Sequence, residues 1–426
     1  MHKNYVRHGD LDLHQLFVIR NVTAEAKGNI LKVQAHINNL NQWLERDNVS
    51  SGLQDSCSGP ECPFWQHCSA NLPEPNVFTL SGVGFPLKRK LALYREGHVS
   101  YDDLFEAKLP VRQRKQLETH YQGDFIDKEG IHETLDRLSY PLYFLDFETY
   151  SVPVPPYDGI SPYMQVPFQY SLHFIEEKGG ELKHTEFLAA PGRDSRRELA
   201  EQLVRDIPLN VCTTAYHASF EKKVLGDLAL VFPDLSEHLL NIQGHIEDLE
   251  VPFRQQYYIT PAMKGKSSIK FVLPALYPDD PALDYQNLEG VHKGTEANAA
   301  FLAMADMNEE ERAVVRRQLL TYCGLDTYAM VKVWEKLADT IAHRFAVYIS
   351  GMGEFRDPAC YEFISEFDNP KEASELMYSL RVNGQYPDKD IIIKRFDDDS
   401  TNPADGISIV ACSVLGEYLL PEEWNF

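Results

Sequence analysis

The sequence predicts an α/β protein in which a mixed β-sheet is flanked by helices, with a helical N-terminal region and a small α+β appendage at the C-terminal end. The aromatic-rich apolar run from Leu142 to Leu145 is typical of a buried strand. A second strand-like run ends near Tyr216 and changes to helical spacing around Glu221. From about residue 308 to residue 337 apolar residues recur at helical spacing, which indicates a long helix.

The 426 residues are enough for two or three domains, and four regions are predicted. They are residues 1–75 with a cysteine-rich loop, residues 76–138 as a helical connector, residues 139–345 as the α/β domain, and residues 346–426 as the appendage. Further expected elements are a helix start at 99–103, a helix at 370–382 and a strand at 391–393. The appendage has 16 acidic and 6 basic residues, and its pattern favours a small folded element over a disordered tail.

Asp146 and Glu148 follow the first predicted strand directly. Residues i and i+2 of a strand point to the same face, so the two carboxylates should converge while Phe147 points the other way. Neighbouring carboxylates repel each other, and a divalent cation is the usual solution. The alternative is a solvated acidic pair at a strand end.

Tyr322 and Asp326 lie four residues apart in the predicted long helix. Side chains at this spacing reach the same helix face, so one can bind a metal while the other orients an attacking water. Tyr322 could instead be a core tyrosine on the apolar face of the helix.

These residues resemble, in type and order, the three motifs of the DEDD superfamily of RNase H-like 3′-to-5′ exonucleases. The Tyr-x-x-x-Asp form of the third motif points to the tyrosine subclass, and the resemblance implies an RNase H-like sheet. The chain resembles the DUF2779 proteins still more closely, over roughly residues 139–340. That resemblance rests on Asp146-Phe-Glu-Thr149, Ser219-Phe-Glu221, the stretch 267–276 and the stretch 322–330.

The second motif departs from the DEDD pattern, which usually has Asn followed by an aromatic residue and Asp. Here His217 takes the place of the Asn and Glu221 the place of the Asp. Glu is one methylene longer than Asp, so it can still bind a metal, with altered geometry. Asp248 could supplement Glu221 as a metal ligand, or it could cap the helix that follows.

The mechanism implied by the resemblance is two-metal hydrolysis of a phosphodiester, with ions about 4 Å apart. Asp146 would bridge both ions, and Glu148, Glu221 and Asp326 would complete their coordination. Hard oxygen ligands select Mg²⁺ or Mn²⁺. Tyr322 would orient the nucleophilic water.

Two further side chains are candidates for contact with the substrate. Lys270 could meet a substrate phosphate, or it could be an exposed lysine ahead of a buried strand. His217 is the second candidate, because it lies in the second motif.

A cysteine-rich loop precedes the connector, with Cys57, Cys62 and Cys68 set among Gly, Pro and Ser. It resembles the cluster that closes the nuclease domain of CRISPR-associated iron–sulfur nucleases of the PD-(D/E)XK class. DUF2779 proteins often carry such a nuclease, so residues 1–75 look like its remnant. Three thiolates leave an iron–sulfur cluster incomplete. His67 or another cysteine could supply the fourth ligand for zinc, or the thiols could be reduced and unligated.

The net charge of −23 argues against broad electrostatic binding of duplex nucleic acid, because phosphate affinity comes largely from Lys and Arg. The expected partner is single-stranded DNA or RNA. Two basic clusters, 88–90 and 112–115, could guide a strand to the acidic site, or they could be solvated helix faces.

Neither a secretory leader nor an apolar run of about 18 residues is found, and seven cysteines do not suggest a disulfide framework. We therefore expect a soluble, cytoplasmic protein with no membrane partner. Two functions fit the sequence. The intact Asp146, Glu148, Tyr322 and Asp326 set favours a metal-dependent 3′-to-5′ exonuclease of single strands. The altered second motif and the acidic appendage favour an inactive RNase H-like module that binds nucleic acid or a protein partner.

Overall fold

The computed structural model describes residues 2, 4–45, 52–54, 57–341, 344–350, 361–367, 373, 376–380, 383, 390–396 and 407–412. The chain divides into two compact units, Met1–Trp334 and Glu335–Phe426. The described part contains no helix that combines the length and the apolar character needed to span a membrane.

The described helices are α1 (Leu13–Leu16), α2 (Thr23–Leu44), α3 (Trp65–Ser69), α4 (Leu87–Arg95), α5 (Val111–Gln122), α6 (Lys128–Leu135), α7 (Arg196–Asp206), α8 (Ser219–Val231), α9 (Ser236–Gly244), α10 (Val251–Arg254), α11 (Ile269–Leu276), α12 (Gly294–Ala303) and α13 (Glu309–Ile341). The described strands are β1 (Phe125–Ile126), β2 (Leu142–Tyr150), β3 (Val166–Ile175), β4 (Lys183–Leu188), β5 (Cys212–Ala215), β6 (Ile246–Asp248), β7 (Tyr258–Ile259), β8 (Arg344–Ser350), β9 (Tyr361–Phe367), β10 (Asp390–Phe396) and β11 (Ile407–Cys412).

The central sheet of the first unit has five strands in the order β4-β3-β2-β5-β6. Strand β3 runs antiparallel to both β2 and β4, whereas β5 is parallel to β2 and to β6. Helices cover both faces of this sheet. The predicted α/β fold, a mixed sheet flanked by helices, is therefore confirmed.

Strand β2 separates an apolar face of the sheet from a polar one. Tyr143, Leu145 and Phe147 point to a core that α7, α8 and α9 cover with leucine and valine side chains. Asp146 and Glu148 point to the other face, opposite Ser171 and Gln169 of β3. The predicted alternation is present, but the strand continues to Tyr150, so both acids lie within the strand and not after its end.

Helix α13 covers the polar face and is held there by buried hydrogen bonds. Thr327 Oγ1 lies 2.7 Å from Ser171 Oγ and 2.7 Å from His173 Nδ1. The Gln169 amide donates to the carbonyl of Leu319 over 2.9 Å. Because buried polar groups need such partners, these contacts fix how the helix is rotated over the sheet.

The connector is helical, as predicted, through α4, α5 and α6. The expected helix start at 99–103 is instead a tight turn leading into a short 3₁₀ segment, Asp103–Phe105. One carboxylate oxygen of Asp103 accepts from the Ser100 amide and hydroxyl, at 2.7 Å each. The Asp103 amide donates back to the Ser100 hydroxyl over 3.2 Å, so the pair is bonded like the N-terminal cap of a helix, although only a 3₁₀ turn follows.

Four of the six cations in the two basic clusters are bonded to backbone carbonyls. Lys90 is buried and donates to the carbonyls of Phe78 and Leu80. Arg112 donates to the carbonyl of Arg254, Lys115 to that of Gln256 over 2.9 Å, and Arg114 to that of Ala107 over 2.6 Å. Backbone carbonyls therefore use these four cations, whereas Lys88 and Arg89 are exposed, and the strand-guiding interpretation stays a prediction.

The second unit contains an antiparallel sheet in the order β11-β10-β8-β9. Residue 373 and residues 376–380 are helical, within the predicted helix 370–382. The predicted strand 391–393 lies within β10, and its isoleucines belong to the core of this unit. The appendage is thus α+β in its described residues.

Candidate metal centre

Three carboxylates meet at the polar face of the central sheet. Asp146 and Glu148 come from β2 and Asp326 from α13, and one oxygen of each lies within 4.8 Å of the others. Glu221, in the first turn of α8, lines the same pocket, which has a volume of about 670 Å³. The fold thus brings together acids that are up to 180 residues apart, and the trio could hold a metal ion.

Burial raises the pKa of every acid in this group, and the charges of other acids add to the rise for Asp146, Glu148 and Glu221. The pKa of Asp146 is raised well above its usual value by burial, then by the charges of Asp326 and Glu148. Burial followed by the charge of Asp326 raises the pKa of Glu148 to about 8. Burial raises the pKa of Glu221 to about 8 and that of Asp326 to about 6. The group therefore carries more negative charge at neutral pH than it can accommodate without protons or a cation.

Asp326 is held in place by hydrogen bonds that the sequence did not indicate. The hydroxyl of Tyr285 donates to Asp326 Oδ1 over 2.6 Å, and hydrogen bonds with Tyr285 and Tyr322 lower the Asp326 pKa. Tyr285 belongs to a 3₁₀ turn within an irregular segment rich in Asp and Pro. It lies outside any periodic pattern, so no sequence signal could have identified it.

Tyr322 and Lys270 form a hydrogen-bonded pair beside the three carboxylates. Tyr322 is buried, and burial together with the Asp326 charge raises the pKa of its phenol, which keeps the hydroxyl protonated. Lys270 Nζ donates to Tyr322 Oη and to the carbonyl of His292, both at 3.2 Å. The ammonium also lowers the pKa of Glu148 and of Asp326. Lys270 thus lies beside the acidic group.

The interpretation of Lys270 as an exposed lysine ahead of a buried strand is wrong in two respects. The segment after Ser268 is helix α11, and Lys270 lies within its first turn, half-buried. A short apolar run does not distinguish a strand from a buried helix.

Glu221 has a buried carboxylate oxygen that fits a metal site. The residue is only 3% exposed, and its Oε2 has no hydrogen-bond partner among the described residues. Leaving a buried carboxylate oxygen without a partner is costly. A cation bound by the neighbouring acids would satisfy it, so the Glu at this position fits a metal site.

His217 and Asp248 lie beside the acidic group but are committed to other contacts. The backbone of His217 is left-handed, with φ of 66°, and its N–H donates to Asp248 Oδ1 over 3.0 Å. The other oxygen of Asp248 binds Arg254 over 2.7 Å. Asp248 therefore anchors the turn before α8 and is not part of the three-carboxylate group, whereas His217 lines the pocket.

Glu250 orients the His217 ring and was not foreseen from the sequence. It is buried, and its carboxylate accepts from His217 Nδ1 over 2.8 Å and from Ser267 Oγ over 2.8 Å. The His217 side chain is 64% exposed, so the ring is fixed at one nitrogen and accessible elsewhere. Glu250 lies in a short loop two residues after Asp248, and no pattern in the sequence distinguishes it.

The loop between β2 and β3 contributes its two ends to the pocket. Ser151 and Gln165 line the pocket. On another side of the pocket, Gly294, Thr295 and Asn298 of α12 line it as well.

The three cysteines of the N-terminal loop are not assembled as a metal site. Within the described part of the chain, the acidic trio brings its ligand atoms within 4.8 Å of one another. The ligand atoms of Cys57, Cys62 and Cys68 with His67 do not converge in this way. All three thiols are free and half-buried. Cys57 and Cys68 pack against the core of the connector. As placed, these residues do not fit an iron–sulfur cluster or a zinc ion.

Comparison with protein families finds one match, to the domain of unknown function DUF2779, over residues 143–268. The matched segment includes Asp146, Glu148, His217 and Glu221, and it ends before Tyr322. No curated protein and no solved structure matches the chain.

Proposed function

We propose that this chain is a metal-dependent 3′-to-5′ exonuclease that hydrolyses phosphodiester bonds of single-stranded DNA or RNA. One observation carries the proposal. Carboxylate oxygens of Asp146, Glu148 and Asp326 lie within 4.8 Å of one another, and Glu221 lines the same pocket. Acids this close, with raised pKa values, are arranged for cations.

The donor set suits magnesium or manganese. All four candidate ligands are carboxylates, and hard oxygen donors select such ions over soft metals. Four carboxylates carry a formal charge of −4, which two divalent cations would balance. Asp146 is the natural shared ligand, because the charges of the other three acids all raise its pKa.

Bound there, two such ions would stabilise charge on the attacking and leaving oxygens of an in-line displacement. The chain's own groups would position the reactants. The Tyr322 hydroxyl stays protonated and receives a hydrogen bond from Lys270, so it can hold a water in one orientation. The Lys270 ammonium offers a positive charge to a substrate phosphate beside the acidic group.

Strand order and motif order support an exonuclease over other metal-dependent hydrolases. The order β4-β3-β2-β5-β6, with β3 antiparallel to both of its neighbours, agrees with the mixed sheet that the DEDD resemblance implies. The acids occupy the first strand, the helix after the fourth strand and the last helix of the unit, as the DEDD resemblance implies. The 3′-to-5′ polarity comes from that resemblance.

The pocket favours a single strand over a duplex. Its volume of about 670 Å³ is that of a small-ligand site, and the chain's net charge is −23. A duplex needs an extended basic surface, and four of the six cations in the two basic clusters are instead bonded to backbone carbonyls. A strand end that enters the pocket needs only local contacts.

The test is a degradation assay with purified protein, 5′-labelled single-stranded DNA and RNA, and Mg²⁺ or Mn²⁺. The expected result is a ladder of shortened 5′-labelled products, absent without a divalent ion and absent with Asp146→Ala. A duplicate substrate labelled at its 3′ end should release the label as a mononucleotide at once.

A negative result would have a definite meaning. If the unmutated protein binds both labelled strands and degrades neither with either metal, the binding-module function replaces the exonuclease. If products appear from the 5′ end, the assigned polarity is wrong while the metal centre remains.

A further inference from the structure

Helix α2 (Thr23–Leu44) is a long helix without a packing partner in the described structure. None of its 22 residues is buried. Five large aliphatic side chains lie on it at 45% to 73% exposure, namely Ile30, Val33, Ile37, Leu40 and Leu44. A helix with this much apolar surface in water indicates an interaction site.

Six apolar residues of α2 follow a heptad repeat. Ala26, Ile30, Val33, Ile37, Leu40 and Leu44 are spaced alternately four and three residues apart. This pattern places them on a single seam, and it is the pattern by which two helices interlock side chains in a coiled coil. The isoleucines fall at the a positions, which favours a two-stranded coil. The partner for this seam is therefore another heptad helix.

The composition of α2 requires that partner. The helix contains Gly28 and four asparagines, all of which are weak helix formers, and it has no side-chain N-cap bond. In proteins, packing of an apolar face supplies most of the stability of a helix. The described residues offer α2 no packing partner, and a second copy of the same helix can supply that stabilisation.

We propose that α2 pairs with α2 of a second copy of this chain, so that the protein is a coiled-coil dimer. The positions flanking the seam are occupied by Lys27, Asn29, Gln34, His36, Asn41 and Trp43. They contain no acid, so two copies meet without opposed carboxylates. Residues 20–45 hold three basic and two acidic residues, a net charge of +1 in a chain of −23. Self-association at this helix thus avoids the repulsion that the rest of the surface would cause.

The length of the seam determines the expected affinity of the dimer. A helix of 22 residues is roughly 33 Å long, which gives a contact at or below the roughly 800 Å² per partner of a standard interface. We therefore expect a reversible dimer with a dissociation constant of roughly 1 to 100 μM.

The experiment is sedimentation analysis of the full chain from roughly 1 to 100 μM, a range that brackets this constant. The unmutated protein should change from monomer to dimer as its concentration rises. Ile37→Asp places a charge in the middle of the seam and should weaken the dimer by roughly 100-fold or more. Leu31→Asp is the matched control, since Leu31 is 82% exposed and lies off the seam. It should dimerise like the unmutated chain.

The core of the first unit does not include α2, so thermal unfolding of that unit should be the same in both variants. A monomer at every concentration would overturn the proposal. So would a dimer that Ile37→Asp leaves intact, or one that both variants weaken equally. The result does not depend on whether the metal centre is active.

Discussion

The acidic group on the sheet and the cysteine loop before the connector both carry metal-binding residue types, yet the structure assembles only one of them. The acids come from β2, α8 and α13, which are far apart in sequence. The cysteines lie within twelve residues, and their thiols are not brought together. Closeness in sequence is therefore a weaker guide to a site than attachment to rigid elements.

The physical difference is in what holds each set of ligands. Helix α13 is fixed over the sheet by buried hydrogen bonds, including Thr327 to Ser171, so its Asp326 has no freedom to move away from Asp146. In the loop, Cys57 and Cys68 instead satisfy a hydrophobic core. A half-buried thiol packs well as a small apolar group, so apolar packing alone explains its position without a bound metal.

The largest expected effect tests the acidic side of this comparison. Asp146→Ala removes the acid whose pKa is raised by the charges of the other three, and it should reduce exonuclease turnover to background, because the metal site loses its shared ligand. Asp146→Asn is the conservative partner, since it keeps the size of the side chain and removes the charge. Both variants should remain folded, because the substitution relieves repulsion among neighbouring carboxylates. Metal-supported turnover within tenfold of the unmutated rate in either variant would exclude Asp146 as a ligand.

The second expected effect is smaller because it removes a positioning group and no ligand. Tyr322→Phe should lower the turnover number by roughly 10² to 10⁴-fold, the range for one positioned acid–base group. Metal affinity, measured by calorimetry, should change little. Tyr285→Phe is a useful control, since it also deletes a hydroxyl beside Asp326 but lies outside the third motif. Equal losses in the two variants would mean that Tyr322 acts only by holding Asp326.

The third effect concerns stability and follows from the raised pKa values. Folding raises the pKa of Glu148 and of Glu221 from 4.5 to about 8. The folded state binds these protons more tightly than the unfolded state, so this stabilisation is complete below about pH 4 and is lost as pH rises towards 8. Over that window, each of the two groups lowers the free energy of unfolding by about 1.4 kcal/mol per pH unit.

The measurement is the melting temperature from pH 5 to pH 8.5, with a chelator and with Mn²⁺. Without metal, the melting temperature should fall steadily with pH, and Mn²⁺ should flatten the curve by replacing the protons. Glu148→Gln combined with Glu221→Gln should flatten it without metal. A chelated protein whose melting temperature is constant across this range would show that the acids are not coupled as the structure places them.

The sequence predicted the acidic centre well because its residues lie on periodic elements. Alternation in β2 placed Asp146 and Glu148 on one face, and helical spacing placed Tyr322 and Asp326 together. Both patterns depend only on local geometry, so they can be read without knowledge of the fold. Periodicity did not predict that α13 lies opposite β2. That expectation came from the order of the motifs.

The residues that sequence reasoning missed act through tertiary contacts. Tyr285 and Glu250 come from irregular segments, and their partners are 41 and 33 residues away in sequence. The segment of Lys270 was misassigned, because α11 is short, apolar and contains Pro274, features shared with a buried strand. Lys90 was misjudged because a charged run suggested a surface, whereas carbonyls inside the fold capture its ammonium.

The smallest expected effect tests the cysteine side of the comparison. Replacing Cys57, Cys62 and Cys68 together by Ser should leave exonuclease activity and metal content unchanged, because the three thiols do not converge. Stability should fall by about 1 kcal/mol, since Cys57 and Cys68 pack on an apolar core and a hydroxyl is less suited to it. Cys62→Ser alone should have no effect on the melting temperature. Elemental analysis of anaerobically purified protein decides the matter. Stoichiometric iron or zinc that disappears in the triple variant would mean that the loop closes around a metal, and the contrast between the two regions would then no longer hold.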